Sequence, residues 1–159
     1  LKNLEKELLN YLGFPKSVTV DYESICQKYG IEEIDDVHEG KMGEEYGDNI
    51  ILEKFPQRTH PFWNMKHHKE GIFNKVDVLL HGMETIGSAE RSTNVDEMKN
   101  NFLSISDGEY SKLLFDKFSE ERVMKELEDY LSLEMFPRFG GGMGVTRLAR
   151  AMKLSDILE

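Results

Sequence analysis

Two runs rich in β-forming residues, Lys75 to Leu80 and Met83 to Arg91, are separated only by His81-Gly82. A two-residue connection of this kind needs positive φ, which Gly82 takes without steric cost, so the segment predicts a β-hairpin. With His81 and Gly82 at the tip, Leu80 pairs with Met83 and Leu79 with Glu84. That register sets Glu84 diagonal to Asp77 on one face of the sheet. Two carboxylates so placed suit one hard cation, and Mg²⁺ typically takes one or two carboxylates together with substrate phosphates. The same pair also fits a solvated strand face.

Gly87, Ser88 and Ala89 follow Glu84 and would leave open floor above the sheet. Arg91, at the end of that floor, carries a planar fork suited to a carboxylate or amide. Strict alternation puts Arg91 on the face opposite Glu84. A shared pocket therefore requires a bulge, expected at Gly87. Near the C-terminus, Gly140, Gly142 and Gly144 alternate and lead to Arg147 at the opening of a helix. Glycines allow a flat or phosphorylated ligand to lie close to backbone, and a guanidinium beyond them can meet a phosphate or stack on a base. The same run also fits a plain strand-to-helix turn. Val145 excludes a dinucleotide-binding fingerprint, and no P-loop Gly-Lys-Ser/Thr follows.

Composition limits the other classes. The 159 residues carry a formal charge of −10, the wrong sign for gripping nucleic acid through the overall field, although a local basic groove remains open. Cys26 is the only cysteine, so no intrachain disulfide and no cysteine-rich zinc site can form, and a reducing, cytoplasmic setting is expected. No apolar stretch approaches the ~20 residues of a membrane span. The histidines lack metal-ligand spacing and read as surface residues. The chain opens at Leu1 without a basic n-region and is expected to be a piece of a longer chain.

Leu1, Leu4, Leu8, Leu9 and Leu12 share one face of a helix ending at Gly13. Asp21 is placed to cap a second helix whose face is Tyr22, Ile25, Cys26 and Tyr29, with Gly30 as its stop. Residues 32–48, acidic, glycine-containing and weakly periodic, read mostly as loop with room for one helical turn. A strand is expected at Asn49 to Phe55, and another after Pro61. Asn94 and Asp107 look like helix caps, Ser119 opens a helix with Val123, Leu127, Tyr130 and Leu131 on its face, and a last helix runs from Thr146 to Leu154. No linker divides residues 1–159, which read as a single domain.

Gly140-Gly-Gly-Met-Gly-Val-Thr-Arg147 fits Gly-x-Gly-x-Gly-x-x-Arg and resembles motif 3 of class II aminoacyl-tRNA synthetases. Asp77 through Glu84 to Arg91 resembles the segment of aspartyl- and asparaginyl-tRNA synthetases that carries magnesium ligands and then an arginine for the amino-acid side chain. Phe55-Pro56 and His60-Pro61-Phe62-Trp63 are similar to elements preceding that segment. The resemblance is ordered along residues 17–154. It implies an α+β fold, an antiparallel β-sheet flanked by helices, of which this chain is the C-terminal part of a catalytic core. It also implies ATP and Mg²⁺ as cofactors, aspartate or asparagine activated as adenylate, tRNA as acceptor, no membrane partner and a homodimer in the full-length protein. The roles it implies are Asp77 and Glu84 for Mg²⁺-ATP, Arg91 for the amino-acid side chain, Gly142 and Gly144 for the ATP floor, and Arg147 for phosphate or adenine, with Arg91 and Arg147 as catalytic residues. Glu134-Met135, Pro137 and Thr146 are instead similar to asparagine synthetase A, which amidates aspartate with ammonia and needs no RNA. No Arg-x-Glu of motif 2 is found, which leaves a noncatalytic ligand-binding module as a third reading.

Overall fold

The computed structural model describes every residue except Glu70. Helix α1 (Lys2–Tyr11) is followed by strand β1 (Val18–Asp21), α2 (Tyr22–Tyr29), α3 (Asp36–Tyr46) and β2 (Asn49–Pro56). The short β3 (His67–Lys69) leads into the hairpin strands β4 (Ile72–Leu80) and β5 (Glu84–Arg91). Then come α4 (Val95–Ser104), α5 (Glu109–Phe118), α6 (Glu120–Leu131), β6 (Arg138–Met143) and α7 (Val145–Leu154). The strands lie in the order β1-β2-β4-β5-β6, with β3 also on β4. The sheet is not wholly antiparallel as expected, because β1 runs parallel to β2 while the other pairs are antiparallel. The stretch from β1 through α2 and α3 to β2 makes this possible, since a parallel pair needs a crossover and cannot be closed by a tight turn.

Alternation along the strands builds two apolar faces. On the back, Ile51, Val76, Val78, Leu80 and Ile86 pack with Leu9 and Phe14 and with Ala151 of α7. On the front, Ile50, Leu52, Phe55 and Leu79 pack with Tyr22, Ile25 and Cys26 of α2 and Met42 of α3. Cys26 is thus a buried core thiol, in keeping with the small-hydrophobe behaviour of free cysteine. A third cluster centres on Trp63, whose ring meets Phe102 and Tyr130 edge-on at 5.6 and 5.5 Å, with Val123, Leu127 and Leu131 of α6 around it. It holds α4 and α6 beside the Arg91 end of the sheet.

Helix α3 corrects the loop reading of residues 32–48. Asp35 caps it by accepting from the His38 N–H at 2.9 Å, and the His38 ring accepts in return from the Asp35 N–H, a reciprocal capping box. The periodic signal is weak because α3 carries one fully buried apolar anchor, Met42, and two glycines. Those glycines face the hairpin tip. His81 and Gly82 both have positive φ, 49° and 69°, closing a two-residue turn in which the Leu80 N–H donates to the Met83 carbonyl at 2.9 Å. A Cβ on Gly82 would lie 3.0 Å from Gly40 Cα, and one on Gly43 would lie 3.1 Å from Gly82 N and Cα. Backbone meets backbone here.

Other differences are local. Asp107 caps nothing: Ser106, Asp107 and Gly108 run in succession at φ 52°, 54° and 83°, and α5 begins after Gly108 without a side-chain cap. Ser119 precedes α6 but makes no side-chain cap bond. The histidines are less superficial than expected. His81 Nε2 lies 2.7 Å from Ser155 Oγ, and His67 Nδ1 lies 2.6 Å from Glu97 Oε1.

The glycine contacts give a paired stability test. Gly40→Ala, whose Cβ meets nothing within 4 Å, should gain the usual helix-interior benefit of roughly 0.5–1 kcal/mol. Gly43→Ala should lower the urea midpoint instead, because its Cβ presses on a turn whose backbone is hydrogen-bonded on both sides.

Candidate functional site

The hairpin register decides which side chains share a face. Leu79 pairs with Glu84 as expected, but Val78 pairs with Ile86 and Asp77 with Gly87, so Thr85 is an extra residue in β5. The bulge thus lies at Thr85 and not at Gly87. It returns Gly87, Ala89 and Arg91 to the front face, where Asp77 and Glu84 already stand. Thr85 is fastened on both sides: its carbonyl accepts from the Gly144 N–H at 2.9 Å, and its Oγ1 donates to the Met83 carbonyl at 3.1 Å.

Asp77 and Glu84 line one cleft of about 210 Å³ whose walls include Tyr22, Glu39, Phe55 and Lys75. A Cβ on Gly87 would sit 2.9 Å from Glu84 Oε1 and 3.4 Å from Asp77 Oδ1, so glycine is what lets both carboxylates converge above β5. Asp77 is 5% exposed, its Oδ2 is paired with the Lys75 ammonium, and its Oδ1 is buried without a hydrogen-bond partner. Burial pushes the Asp77 carboxyl up to about 6 against the pull of Lys75, with Glu84 and Glu39 adding to the rise. Lys75 Nζ also lies 3.7 Å from the Phe55 ring centre, a cation–π contact that holds the ammonium in the cleft.

Further along the same face, β6 completes the floor. Gly87 pairs with Gly142 and Ala89 with Gly140. A Cβ on Gly140 would lie 2.8 Å from Arg91 Nε, so the Arg91 guanidinium rests on bare backbone, and its Nη1 donates to Asn64 Oδ1 at 3.1 Å. Above Gly142 a Cβ would meet nothing within 4 Å, which leaves this stretch of floor open. Gly144 lies one residue past β6, where a Cβ would be 3.2 Å from Arg147 Cδ. Arg147 opens α7 at the cleft mouth, exposed, with Nη1 donating to the Glu84 carbonyl at 2.7 Å.

The model for class II tRNA synthetases of the D, K and N type matches residues 4–157. This chain belongs to that family. Solved structures similar to it include asparaginyl-tRNA synthetases from Entamoeba histolytica and Pyrococcus horikoshii, each in complex with asparaginyl-adenylate. Each has a TM-score of 0.67 and 19% identity, over 97% and 99% of this chain and 38% of the respective synthetase. An aspartyl-tRNA synthetase from Entamoeba histolytica has a TM-score of 0.62 and 20% identity, over 84% of this chain and 28% of that one. The chain thus spans about a third of the length of these relatives in structure. Comparison with curated proteins finds no match.

The donor set of this class II domain fits the cation that the family implies. Asp77 Oδ1 is an acceptor with nothing to accept, Glu84 Oε1 converges on the same point above Gly87, and both are hard oxygen donors. Among the described residues no three His, Cys, Asp or Glu side chains are grouped to hold a metal ion. Two carboxylates with phosphate and water completing the shell is the arrangement left, and it suits Mg²⁺.

Sequence reasoning missed Lys75, Glu39 and Asn64. Lys75 was recoverable, since a strand puts residues two apart on one face. Glu39 was not, because it lies in α3; its Oε2 accepts from the Glu84 N–H at 2.8 Å, and burial raises its pKa. Asn64 reaches Arg91 through a single bridge between Met65 and Arg91.

The raised Asp77 pKa makes a pH prediction. A carboxyl whose folded pKa lies above its unfolded value favours the folded state most below the unfolded pKa of 3.8, and that contribution is lost as pH rises through about 6. Asp77→Asn removes the titration. Its stability relative to wild type should therefore climb by up to about 3 kcal/mol between pH 3.5 and pH 8, read from urea midpoints.

Proposed function

We propose that this chain forms part of a catalytic core that activates aspartate or asparagine with ATP as the aminoacyl-adenylate, for transfer to tRNA. The observation that carries this reading is the shared front face, where Asp77 and Glu84 stand at one end of a glycine floor and Arg91 at the other. Asp77 and Glu84 would hold Mg²⁺, which when bound supplies charge neutralisation at the phosphates. Gly142 leaves room for ATP against the backbone, and Arg147 stands at the mouth for phosphate or adenine. Arg91 grips the amino-acid side chain by its fork. Gly144 keeps its place for Arg147. Adenylate formation by attack of a carboxylate on the α-phosphate needs no protein nucleophile, so orientation and fixed charge are what these residues contribute.

A second reading, amidation of aspartate with ammonia, is favoured by Thr146 before Arg147 and by Glu134-Met135 and Pro137. It uses the same adenylate with a different acceptor. The full-length protein is proposed to work as a homodimer in the cytoplasm.

Equilibrium dialysis of Mg-ATP against the 159-residue chain tests the site. Binding should weaken at least about tenfold in Asp77→Ala and Glu84→Ala, a change of roughly 1.4 kcal/mol or more. Gly87→Ala should do the same by displacing the Glu84 carboxylate, with little effect on the urea midpoint. Pyrophosphate exchange by this chain alone should be slow, since it spans about a third of the length of its relatives. Unchanged ATP affinity in both acid variants would overturn the assignment.

A further inference from the structure

Strand β6 places a second arginine beside the first. Arg91 and Arg138 are direct Cα partners in the β5–β6 ladder, so their side chains leave the same, front face of the sheet. Arg91 has Asn64 as its polar contact, and Arg138 donates through Nη2 to the Tyr130 hydroxyl at 2.7 Å and through Nη1 to the Phe136 carbonyl at 3.3 Å. Among the described residues neither guanidinium has an acidic partner. This is in a chain with thirty Asp and Glu against twenty Lys and Arg. Like charges directly opposite on a sheet destabilise it. Burial lowers the Arg91 pKa, with Tyr130 acting against the shift and the neighbouring Arg138 adding to it.

We infer that Arg138 is a second anion-binding residue of the Arg91 subsite, and that the pair selects an amino acid ending in a carboxylate, aspartate, over its neutral amide, asparagine. The inference rests on the function proposed above and deepens it. The argument is one of matching donors to acceptors. Two guanidiniums and the Tyr130 O–H, whose oxygen already accepts from Arg138, present donors to an incoming group. A carboxylate offers two oxygens, about four lone-pair sites and a negative charge to meet them, whereas a neutral amide turns one N–H₂ toward two guanidiniums that cannot accept. The side-chain acceptors beside the pair, Asn64 Oδ1 and the Tyr130 hydroxyl oxygen, are already engaged by Arg91 and Arg138. Sites whose polar groups go unpaired with the wrong ligand discriminate strongly against it. Arg138 also lies on the exposed edge strand, next to the glycine floor, so its head can follow the ligand without moving the sheet.

The test is equilibrium dialysis of L-aspartate and L-asparagine against the 159-residue chain in the presence of Mg-ATP, with ATP binding measured in the same samples. Wild type should bind aspartate at least about tenfold more tightly than asparagine. Arg138→Gln should bring the two affinities within about threefold of each other while leaving ATP binding unchanged, and Arg138→Lys should restore part of the preference by restoring charge. A merely structural role for Arg138 would not move the ratio. Equal affinities in wild type, a preference that survives Arg138→Gln, or no binding of either amino acid would overturn the inference. ATP binding that persists in those cases leaves the proposed function standing, and loss of ATP binding from wild type would remove both.

Discussion

One extra residue in β5, Thr85, sets the phase of everything that follows it. Side chains alternate with a period of two, so without the bulge Glu84 would face forward while Gly87, Ala89 and Arg91 faced α1 and α7. With it, Ile86 enters the back core, and the small residues and Arg91 come forward over the cleft. The bulge is held by the Gly144 N–H and so by the start of α7, which ties the β5 register to the position of Arg147. A single backbone irregularity thereby couples the acidic pair, the glycine floor, Arg91 and Arg147.

The front face is electrically polar along its length. At one end Asp77 and Glu84 converge above Gly87, with Glu39 in the wall of the same cleft and Lys75 as the internal counter-charge. At the other, Arg91 and Arg138 stand side by side with neutral partners. Between them Gly87, Ala89, Gly140 and Gly142 expose bare backbone. Such an arrangement spends folding stability on unpaired charge and is expected where ligands complete the pairing. A molecule carrying phosphates with a cation at one end and a carboxylate at the other would neutralise both ends at once.

Much of this was legible from the residues. The helix faces of α1, α2 and α6, the Asp21 and Asn94 caps, the His81-Gly82 turn and the glycine strand before α7 all follow from local periodicity and local backbone chemistry. The facing of Asp77 and Glu84 followed from the turn length, because the turn sets the register of its first pairs. Helix α3 escaped notice because one buried methionine and two glycines make a poor periodic signal; its stability comes from packing against the hairpin tip, which is a tertiary fact. Asp107 failed as a cap because Ser106, Asp107 and Gly108 all turn left-handed there, so that α5 begins only after Gly108.

What the sequence determined by itself was the set of elements, the acid pair across the turn and the presence of a glycine-floored strand leading to an arginine. These depend on neighbours a few residues apart, and so on φ preferences, alternation and helical spacing. Only the tertiary structure decided that β1 lies parallel to β2, that the bulge falls at Thr85, that Lys75 and Glu39 line the cleft with Asp77 and Glu84, and that Asn64 and Arg138 stand beside Arg91. Each of those depends on which strand or helix is adjacent in space. Long-range pairing is chosen by the burial of whole faces, and no local pattern records it.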